Sequence, residues 1–315
     1  MLPKILVVLG PTASGKSALA VKLAKKLART KWGGFNGAEI ISADSRQVYK
    51  GLNIGTGKIT KKEMAGVPHH LLDVANPKKR FTVVEYQKLA REKIAEVFSR
   101  GRLPILCGGT GFYIQAVVDN IVLPDVPPNP KLRAILKKET SETLFNILLK
   151  LDPRRAKTID PKNSRRLIRA IEIVKALGKV PPLTRSNLVN KVRPCFDTLF
   201  IGLALPPEEL KKKITVRLFA RIREGMIAEA KRLHVDGLSW KRMEELGLEY
   251  RYLALLLQDK ITKEEMVTKL KTEIWRYAKR QMTWFKRDTR IKWFKTTKEN
   301  PVEKVIEKFL GKSAS

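Results

Sequence analysis

The sequence predicts an α/β fold: a parallel sheet flanked by helices, with a small helical insertion and a helical C-terminal part. Short apolar runs alternate with amphipathic stretches of helical spacing along the first third of the chain, as in parallel-sheet proteins. A glycine-rich turn directly follows the first apolar run, a proline-rich segment follows at 123–130, and residues after 207 show helical spacing almost throughout.

The individual elements follow from their residue patterns. Residues 5–9 are a continuous apolar run ended by Gly10-Pro11, which is typical of a strand buried on both faces. From Ser17 to Arg29 leucines recur at helical spacing on one face, with lysines opposite. The pattern further predicts a strand over 39–43, a helix over 82–100, and strands over 104–107 and 198–205.

The proline-rich linker divides the chain. Helical patterns continue from it to about residue 165. We therefore expect a core made of residues 1–122 and 166–315, and a small helical insertion domain over 123–165.

The charge balance points to a polyanionic partner. The chain has 64 Lys and Arg against 31 Asp and Glu, a net charge of +33. Nucleic acid is the first candidate and an anionic membrane surface the second. A lineage-wide enrichment in lysine is the alternative explanation for the excess.

The remaining bulk features indicate a cytoplasmic protein. The two cysteines, Cys107 and Cys195, are far apart and form no CxxC pair, which fits a reducing compartment. The apolar start is too short for a signal peptide, and no stretch approaches the roughly 18 apolar residues of a membrane span. We expect a soluble protein with no membrane association.

Residues 10–17 are predicted to form a phosphate-binding loop. They match GxxxxGK[ST] at every fixed position, between a predicted buried strand and a predicted helix. Backbone N–H groups of such a loop surround a phosphate, Lys16 neutralises two linked phosphates, and Ser17 offers its hydroxyl to Mg²⁺. The expected fold is therefore P-loop NTPase-like. The residues of the loop are Gly10, Pro11, Thr12, Ala13, Ser14, Gly15, Lys16 and Ser17.

The loop alone does not specify a nucleoside triphosphate, because it recognises two adjacent phosphoryl groups. ATPases and GTPases usually add a strand that ends in an acidic residue. Here the strand over 104–107 ends in the glycine turn 108–111, and the predicted strand that ends in a carboxylate is the one before Asp44.

Six motifs in fixed order resemble those of tRNA dimethylallyltransferases, also called tRNA isopentenyltransferases. The resemblance runs from about residue 4 to residue 295, and the combination of motifs is far more specific than the loop alone. A bacterial-type member is expected. The motifs are GPTASGKS, ISADSRQVY, GTGK, GVPHHLLD, GGTGFY and RYAKRQMTWFKRD.

The resemblance implies an activity and site residues. Members transfer a dimethylallyl group from dimethylallyl diphosphate to N6 of an adenosine beside the anticodon, with Mg²⁺. It implies Asp44 as general base, Thr110 near the bond being broken and Arg217 on the diphosphate. Read alone, Asp44 would more often be a turn or helix cap, and Arg217 a solvated helix charge.

The resemblance also implies an RNA surface for the anticodon stem-loop, spread over several segments. Basic side chains hold phosphates, and aromatic planes stack on unpaired bases. Residues 279–295 could instead be a helix with a buried aromatic face and a solvated basic one, and both descriptions can hold. The implied contacts are Asp44, Ser45, Arg46, Gln47, Thr110, Arg133, Arg165, Arg166, Arg169, Lys279, Arg280, Gln281 and Lys286.

Three alternatives stay open at this point. A related enzyme class prenylates free adenine nucleotides, but the basic segments 154–169 and 279–295 argue against a substrate without RNA. A P-loop kinase of a small metabolite would suit the fold, and a non-catalytic RNA-binding protein would suit the charge. The protein is expected to act as a monomer. Two positions, Phe219 and Glu249, depart from the family pattern.

Overall fold

The computed structural model describes residues 2–121, 123–181, 195–295 and 299–311. Its centre is a six-stranded sheet in the order β3-β2-β4-β1-β5-β6, in which every neighbouring pair is parallel. The predicted parallel α/β architecture is confirmed. The strands are β1 (Lys4–Leu9), β2 (Ala38–Ser42), β3 (His69–His70), β4 (Leu103–Gly108), β5 (Asp197–Leu203) and β6 (Ile291–Phe294).

Helices cover both faces of the sheet and supply a second, smaller unit. A short 3-10 turn also spans Trp32–Gly34. The helices are α1 (Lys16–Thr30), α2 (Lys61–Met64), α3 (Val83–Ser99), α4 (Gly111–Val118), α5 (Pro130–Leu136), α6 (Ser141–Leu151), α7 (Pro153–Ala156), α8 (Ser164–Leu177), α9 (Pro207–Arg223), α10 (Met226–Val235), α11 (Trp240–Leu246), α12 (Leu248–Leu257), α13 (Lys263–Phe285) and α14 (Glu299–Leu310).

The core has two layers because β1 is buried on both sides. Leu6 and Val8 pack into the layer formed with α1 and α14. Ile5, Val7 and Leu9 point the other way, into the layer formed with α3, α4 and the helices after β5. Successive side chains of a strand alternate between faces, so the apolar run at 5–9 serves both layers.

The carboxyl ends of three central strands meet at one edge of the sheet. Val8 of β1 is paired with Cys107 of β4, and Ser42 of β2 is paired with the same residue. In open parallel sheets ligands bind outside the carboxyl ends of the strands. The segments that follow Leu9, Ser42 and Gly108 therefore define the candidate site.

The chain divides into two compact units, Met1–Asp119 with Pro194–Ser315, and Asn120–Arg193. Helices α5 to α8 build the second unit, whose core includes Leu144 and Leu148 from α6 and Leu167 and Ile171 from α8. This unit extends beyond the predicted insertion 123–165, because α8 continues past 165 and buries its apolar face against α6. A role in tRNA contact stays a prediction for it.

Two short edge strands were not predicted. β3 has two residues, too few for any periodicity, and β6 lies within a segment expected to be helical. β6 forms because it pairs with β5, where Gly202 has no side chain and Trp293 packs over it. By contrast α3 begins where expected, since Thr82 and Glu85 form a reciprocal capping box. No helix among the described residues is long and apolar enough to cross a bilayer.

Candidate active site

The phosphate loop connects β1 to α1 through backbone conformations that favour glycine. Gly15 has φ 89° and Gly10 has φ 154°. A Cβ on Gly10 would lie 2.7 Å from the Leu203 carbonyl oxygen, so the loop passes too close to β5 for any side chain. Ala13 also has positive φ, 62°, which is uncommon outside glycine and typical of ligand-binding loops.

Lys16 reaches back over its own loop. Its Nζ donates to the Pro11 carbonyl oxygen at 3.2 Å. Burial lowers the pKa of Lys16, Cys107 and Asp44 oppose that shift, and the charge of Arg217 adds to it. Lys16 therefore lies among groups of both signs, at the position where two linked phosphates would add negative charge.

The loop also carries a buried hydroxyl that lacks a partner. Ser14 is fully buried, and its Oγ has no hydrogen bond among the described residues. Buried polar groups are normally satisfied, so a ligand oxygen would complete this one. The side chain of Ser17, in the first turn of α1, is hydrogen-bonded to Cys107, and its hydroxyl is the group that would bind Mg²⁺.

Mg²⁺ would obtain few ligands from the protein itself. Within the described part of the chain, no group of three or more His, Cys, Asp or Glu could hold a metal ion. Ser17 with phosphate and water oxygens suits Mg²⁺, which keeps several waters and binds through substrate phosphates. The donor set thus fits a metal that arrives with a diphosphate.

Asp44 follows β2 and lines the same cavity as Lys16. Its Oδ1 accepts from the amides of Arg46 at 2.8 Å and Gln47 at 3.3 Å, so the carboxylate caps the turn that it begins. No described residue donates to Oδ2. One oxygen holds the turn, and the other is free to accept a proton.

Thr110 braces this turn from β4. Its Oγ1 accepts from the Ser45 amide at 3.0 Å, and its own amide donates to the Ala43 carbonyl oxygen at 3.1 Å. The close approach requires Gly108, since a Cβ there would lie 2.1 Å from that carbonyl oxygen. The hydroxyl of Thr110 is thus bound to the strand end that carries Asp44, and its place near the reacting bond stays a prediction.

Arg217 is half-buried and lines the cavity rather than standing as a solvated helix charge. Its Nη2 donates to the Gly57 carbonyl oxygen at 2.8 Å, and the Gln47 side-chain amide donates to the same oxygen at 3.2 Å. Burial lowers the pKa of Arg217, the Arg221 charge adds to the shift, and Glu249 and Asp44 oppose it. The guanidinium therefore lies within electrostatic reach of both Asp44 and Lys16.

The loop at 53–57, which binds Arg217 through Gly57, is held by the carboxylate of Glu229, a residue that the sequence analysis did not single out. Glu229, 3% exposed, accepts from the amides of Asn53, Ile54 and Gly55 and from the Tyr250 hydroxyl. Helical spacing could have indicated that Glu229 is buried, because it falls on the buried stripe of α10 with Met226, Ala230 and Leu233. A charged residue on such a stripe requires fixed partners.

The structure accounts for Glu249, one of the two positions that depart from the family pattern. Its Oε1 pairs with Arg221 at 2.9 Å, and Arg221 also donates to the Gly55 carbonyl oxygen. The acidic residue therefore neutralises a buried arginine behind the 53–57 loop. Phe219, the other departure from the family pattern, is 42% exposed, and nothing in the structure explains the presence of phenylalanine there.

The cavity has a volume of about 390 Å³. Its lining combines cations, the carboxylates Asp44, Glu249 and Glu273, and apolar side chains, among them Ile40, Ile59, Leu72 and Leu246. Cys107 also lines it, but burial raises the pKa of its thiol to about 11, so it stays protonated near neutral pH. The cavity can hold a small ligand with an anionic end and an apolar end.

The two adjacent histidines have different surroundings. His70 Nε2 lies 2.6 Å from Glu39 Oε2, which also pairs with Arg100. His69 contacts the Val67 carbonyl oxygen and lines the cavity.

Some of the residues predicted to contact RNA are exposed, and others are buried or already hydrogen-bonded within the protein. Lys279, Arg280 and Lys286 are exposed on and just after α13, and Arg46 lines the cavity beside Asp44. Phe285 is core, as one of the two descriptions of this segment expects.

Gln281 is the clear exception. It is 6% exposed, and both ends of its amide are bonded to main chain, at Thr12 and Gly109. It therefore lies on the buried stripe with Ala278 and Phe285 and not on the exposed basic face of α13, and its contact with RNA stays a prediction.

In the second unit Arg165 and Arg166 are exposed. Arg133 is bound to Glu172 through two bonds of 2.7 Å, and Arg169 donates to the Val126 carbonyl oxygen. Arg133 and Arg169 therefore already stabilise their own unit, and RNA contact by any of the four stays a prediction.

Comparison with known proteins identifies relatives along nearly the whole chain. A family model described as IPP transferase matches residues 47–288. The tRNA dimethylallyltransferase 1 of Syntrophus aciditrophicus is 44% identical over 290 residues, 91% of this chain and 90% of the relative. The tRNA dimethylallyltransferase of Carboxydothermus hydrogenoformans is 41% identical over 315 residues, 98% of this chain and 97% of the relative.

Two solved structures resemble the fold. The full-length tRNA isopentenylpyrophosphate transferase of Bacillus halodurans has a TM-score of 0.69 and 36% identity, covering 98% of this chain and 95% of that one. A eukaryotic dimethylallyltransferase acting on tRNA has a TM-score of 0.72 and 28% identity, covering 90% of this chain and 69% of that one.

Proposed function

The chain belongs to the IPP transferase family, and on that basis we propose that it transfers a dimethylallyl group from dimethylallyl diphosphate to N6 of the adenosine adjacent to the anticodon in tRNA, releasing diphosphate. The observation that carries the proposal is that Lys16, from the phosphate loop, and Asp44, with one free carboxylate oxygen, line one cavity. The donor's diphosphate requires the first group and the acceptor's amine the second.

The reaction exchanges one bond for another. The N6 nitrogen of adenine attacks the allylic carbon, the bond from that carbon to the diphosphate oxygen breaks, and diphosphate leaves with the electron pair. An aromatic amine is a weak nucleophile, so Asp44 Oδ2 takes the N6 proton as the new bond forms. Oδ1 stays bound to the Arg46 and Gln47 amides and fixes the carboxylate.

The departing diphosphate gathers negative charge, which the loop side of the cavity is built to receive. Lys16, Arg217 and the first N–H groups of α1 are oriented there before the reaction, and such preorganised charge stabilises a transition state most effectively. Ser17 would hold Mg²⁺, which when bound neutralises part of the charge on the phosphates. The apolar side chains of the cavity suit the five-carbon dimethylallyl group.

Mass analysis of the RNA product tests the proposal. The protein is incubated with dimethylallyl diphosphate, Mg²⁺ and unmodified tRNA, the RNA is digested, and N6-prenyl adenosine is sought. We expect product on tRNA and none on AMP. Product on AMP alone would favour a free-nucleotide prenyltransferase, phosphate release from ATP a kinase, and tRNA binding without product a non-catalytic protein.

We further propose that one chain acts alone in the cytoplasm. Lys16, Asp44 and Arg217 all come from a single unit of one chain, so no second copy is required to complete the cavity. The cytoplasmic location is proposed because the two cysteines form no CxxC pair and the relatives are named for action on tRNA.

Salt dependence tests the RNA surface on α13. Replacing Lys279, Arg280 and Lys286 by glutamine should weaken tRNA binding and flatten the slope of log affinity against log salt by up to about one unit per lost phosphate contact. The same change at Lys25 and Lys88, exposed lysines outside the cavity wall, should alter the slope less per charge. Equal effects of the two sets would place the RNA elsewhere.

The pKa of Lys16 predicts how diphosphate binding depends on pH. Because burial lowers this pKa, the ammonium loses its proton at a lower pH than an ordinary lysine. Diphosphate binds the protonated form, so its affinity should fall as pH rises through the lowered pKa, approaching about tenfold per pH unit for one proton. Inorganic diphosphate itself gains charge with pH, which alone would strengthen binding.

Titration calorimetry with inorganic diphosphate from neutral pH to about pH 10 measures this effect. Lys16→Arg is the matched variant, since a guanidinium stays charged over the whole range. Its affinity should not fall with pH. Parallel pH profiles for the two proteins would mean that another group titrates.

A further inference from the structure

The two ends of the Gln281 amide bind two different loops of the site. Oε1 accepts from the Thr12 amide in the phosphate loop at 2.8 Å, and Nε2 donates to the Gly109 carbonyl oxygen at 2.8 Å. The orientation of the amide follows from chemistry, because Thr12 offers only a donor there and Gly109 only an acceptor. One side chain thus connects segments 269 and 172 residues away in sequence.

The contact is enforced by packing as well as by hydrogen bonds. A Cβ on Gly109 would lie 2.3 Å from Gln281 Nε2, and a Cβ on Gly111 would lie 2.2 Å from the Trp284 indole. Two side chains of α13 therefore press against the glycine turn 109–111, which admits no side chain at either point. Helix α13 is fixed to the turn that carries Thr110.

From this geometry we propose that Gln281 is a positioning residue for the diphosphate. By holding Thr12 against Gly109, it sets the phosphate loop so that the N–H groups at the start of α1 converge on one ligand. The proposal rests on the proposed function for the identity of that ligand. The sequence-based interpretation made Gln281 an RNA contact. The experiment below distinguishes that role from the positioning role proposed here.

The alternative roles predict different binding constants. A positioning residue for the loop affects diphosphate binding and leaves tRNA binding alone. An RNA contact does the reverse. Lys279 and Arg280 precede Gln281 on α13 but are exposed, so they belong to the proposed RNA surface while Gln281 belongs to the loop.

The test replaces Gln281 by methionine, which keeps the length of the side chain and removes both hydrogen bonds. The Kd of inorganic diphosphate with Mg²⁺, measured by calorimetry on the full chain, should rise about tenfold or more, as expected when a buried donor and acceptor lose their partners. The KM for dimethylallyl diphosphate should rise in parallel, while the Kd of tRNA stays within about twofold. Thr272→Val, at an exposed position of the same helix, is the control and should change neither constant.

A second variant reaches the same contact from the other side. Gly109→Ala leaves Gln281 intact but forces its amide away, so diphosphate binding should weaken as in Gln281→Met. A rise in the tRNA Kd with unchanged diphosphate binding would overturn the proposal, and so would no change in either. Diphosphate binding needs no turnover. If the wild type failed to prenylate tRNA, the proposed function would be rejected, but the effect of Gln281 on the diphosphate Kd could still be measured.

Discussion

Asp44→Asn is expected to lower kcat for prenyl transfer by about 10²–10⁴-fold, the range that a positioned general base contributes. Asparagine keeps an oxygen for the Arg46 and Gln47 amides, so the turn remains, but it cannot take the N6 proton. The affinity for tRNA should stay within a few-fold. Single-turnover transfer from labelled dimethylallyl diphosphate, with tRNA binding measured separately, gives both quantities.

This variant separates the two roles of the carboxylate. Asp44→Ala removes the cap as well as the base, and should add a loss of stability of about 1 kcal/mol. Asp73→Asn, an aspartate outside the cavity wall, is the control and should retain kcat. A tRNA affinity that falls as far as kcat in Asp44→Asn would make Asp44 a binding residue instead of a base.

Lys16→Met is expected to lower kcat/KM for dimethylallyl diphosphate by about 10²–10³-fold or more, because one fixed charge facing a developing anion is commonly worth that factor. The ammonium is held over the loop by the Pro11 carbonyl oxygen and lies near Arg217 and Asp44. Steady-state kinetics at saturating tRNA measure the loss.

Lys16→Arg should recover part of the activity, since its charge remains but its planar fork fits the loop differently. Lys25→Met removes a lysine from the solvent side of the same helix and should have no effect. Equal losses in Lys16→Met and Lys25→Met would show that the general charge of α1 matters rather than this ammonium.

The elements that could be predicted are those specified by local sequence. The apolar run at 5–9, ended by Gly10-Pro11, is typical of a strand buried on both faces, and the loop at 10–17 has its glycines where φ is positive. Thr82 and Glu85 specify the start of α3 within their own first turn. Each has a pattern that is complete within a few neighbouring residues.

What could not be predicted depends on neighbours distant in sequence. β6 exists because β5 offers an edge with Gly202 beneath Trp293. The second unit extends past 165 because α8 finds an apolar partner in α6. Glycine contacts and helix pairings of this kind are set by the tertiary structure.

Gln281 shows how a motif can mislead. The family resemblance implied an RNA contact, yet the spacing from Ala278 to Phe285 places its side chain on the buried stripe of α13. Periodicity predicted its burial more reliably than local composition predicted its role. Glu229 on α10 is a second case of a polar residue on an apolar stripe with a fixed set of partners.

The central claim is that a diphosphate on the Lys16 side of one cavity and an adenine on the Asp44 side meet there. The most direct measurement is a crystal structure with a non-reactive thiolodiphosphate analogue of the donor and an unmodified anticodon stem-loop. We expect the phosphates in the loop at 10–17 and adenine N6 within about 3 Å of Asp44 Oδ2. An adenine bound outside this cavity, or phosphates held away from the loop, would contradict it.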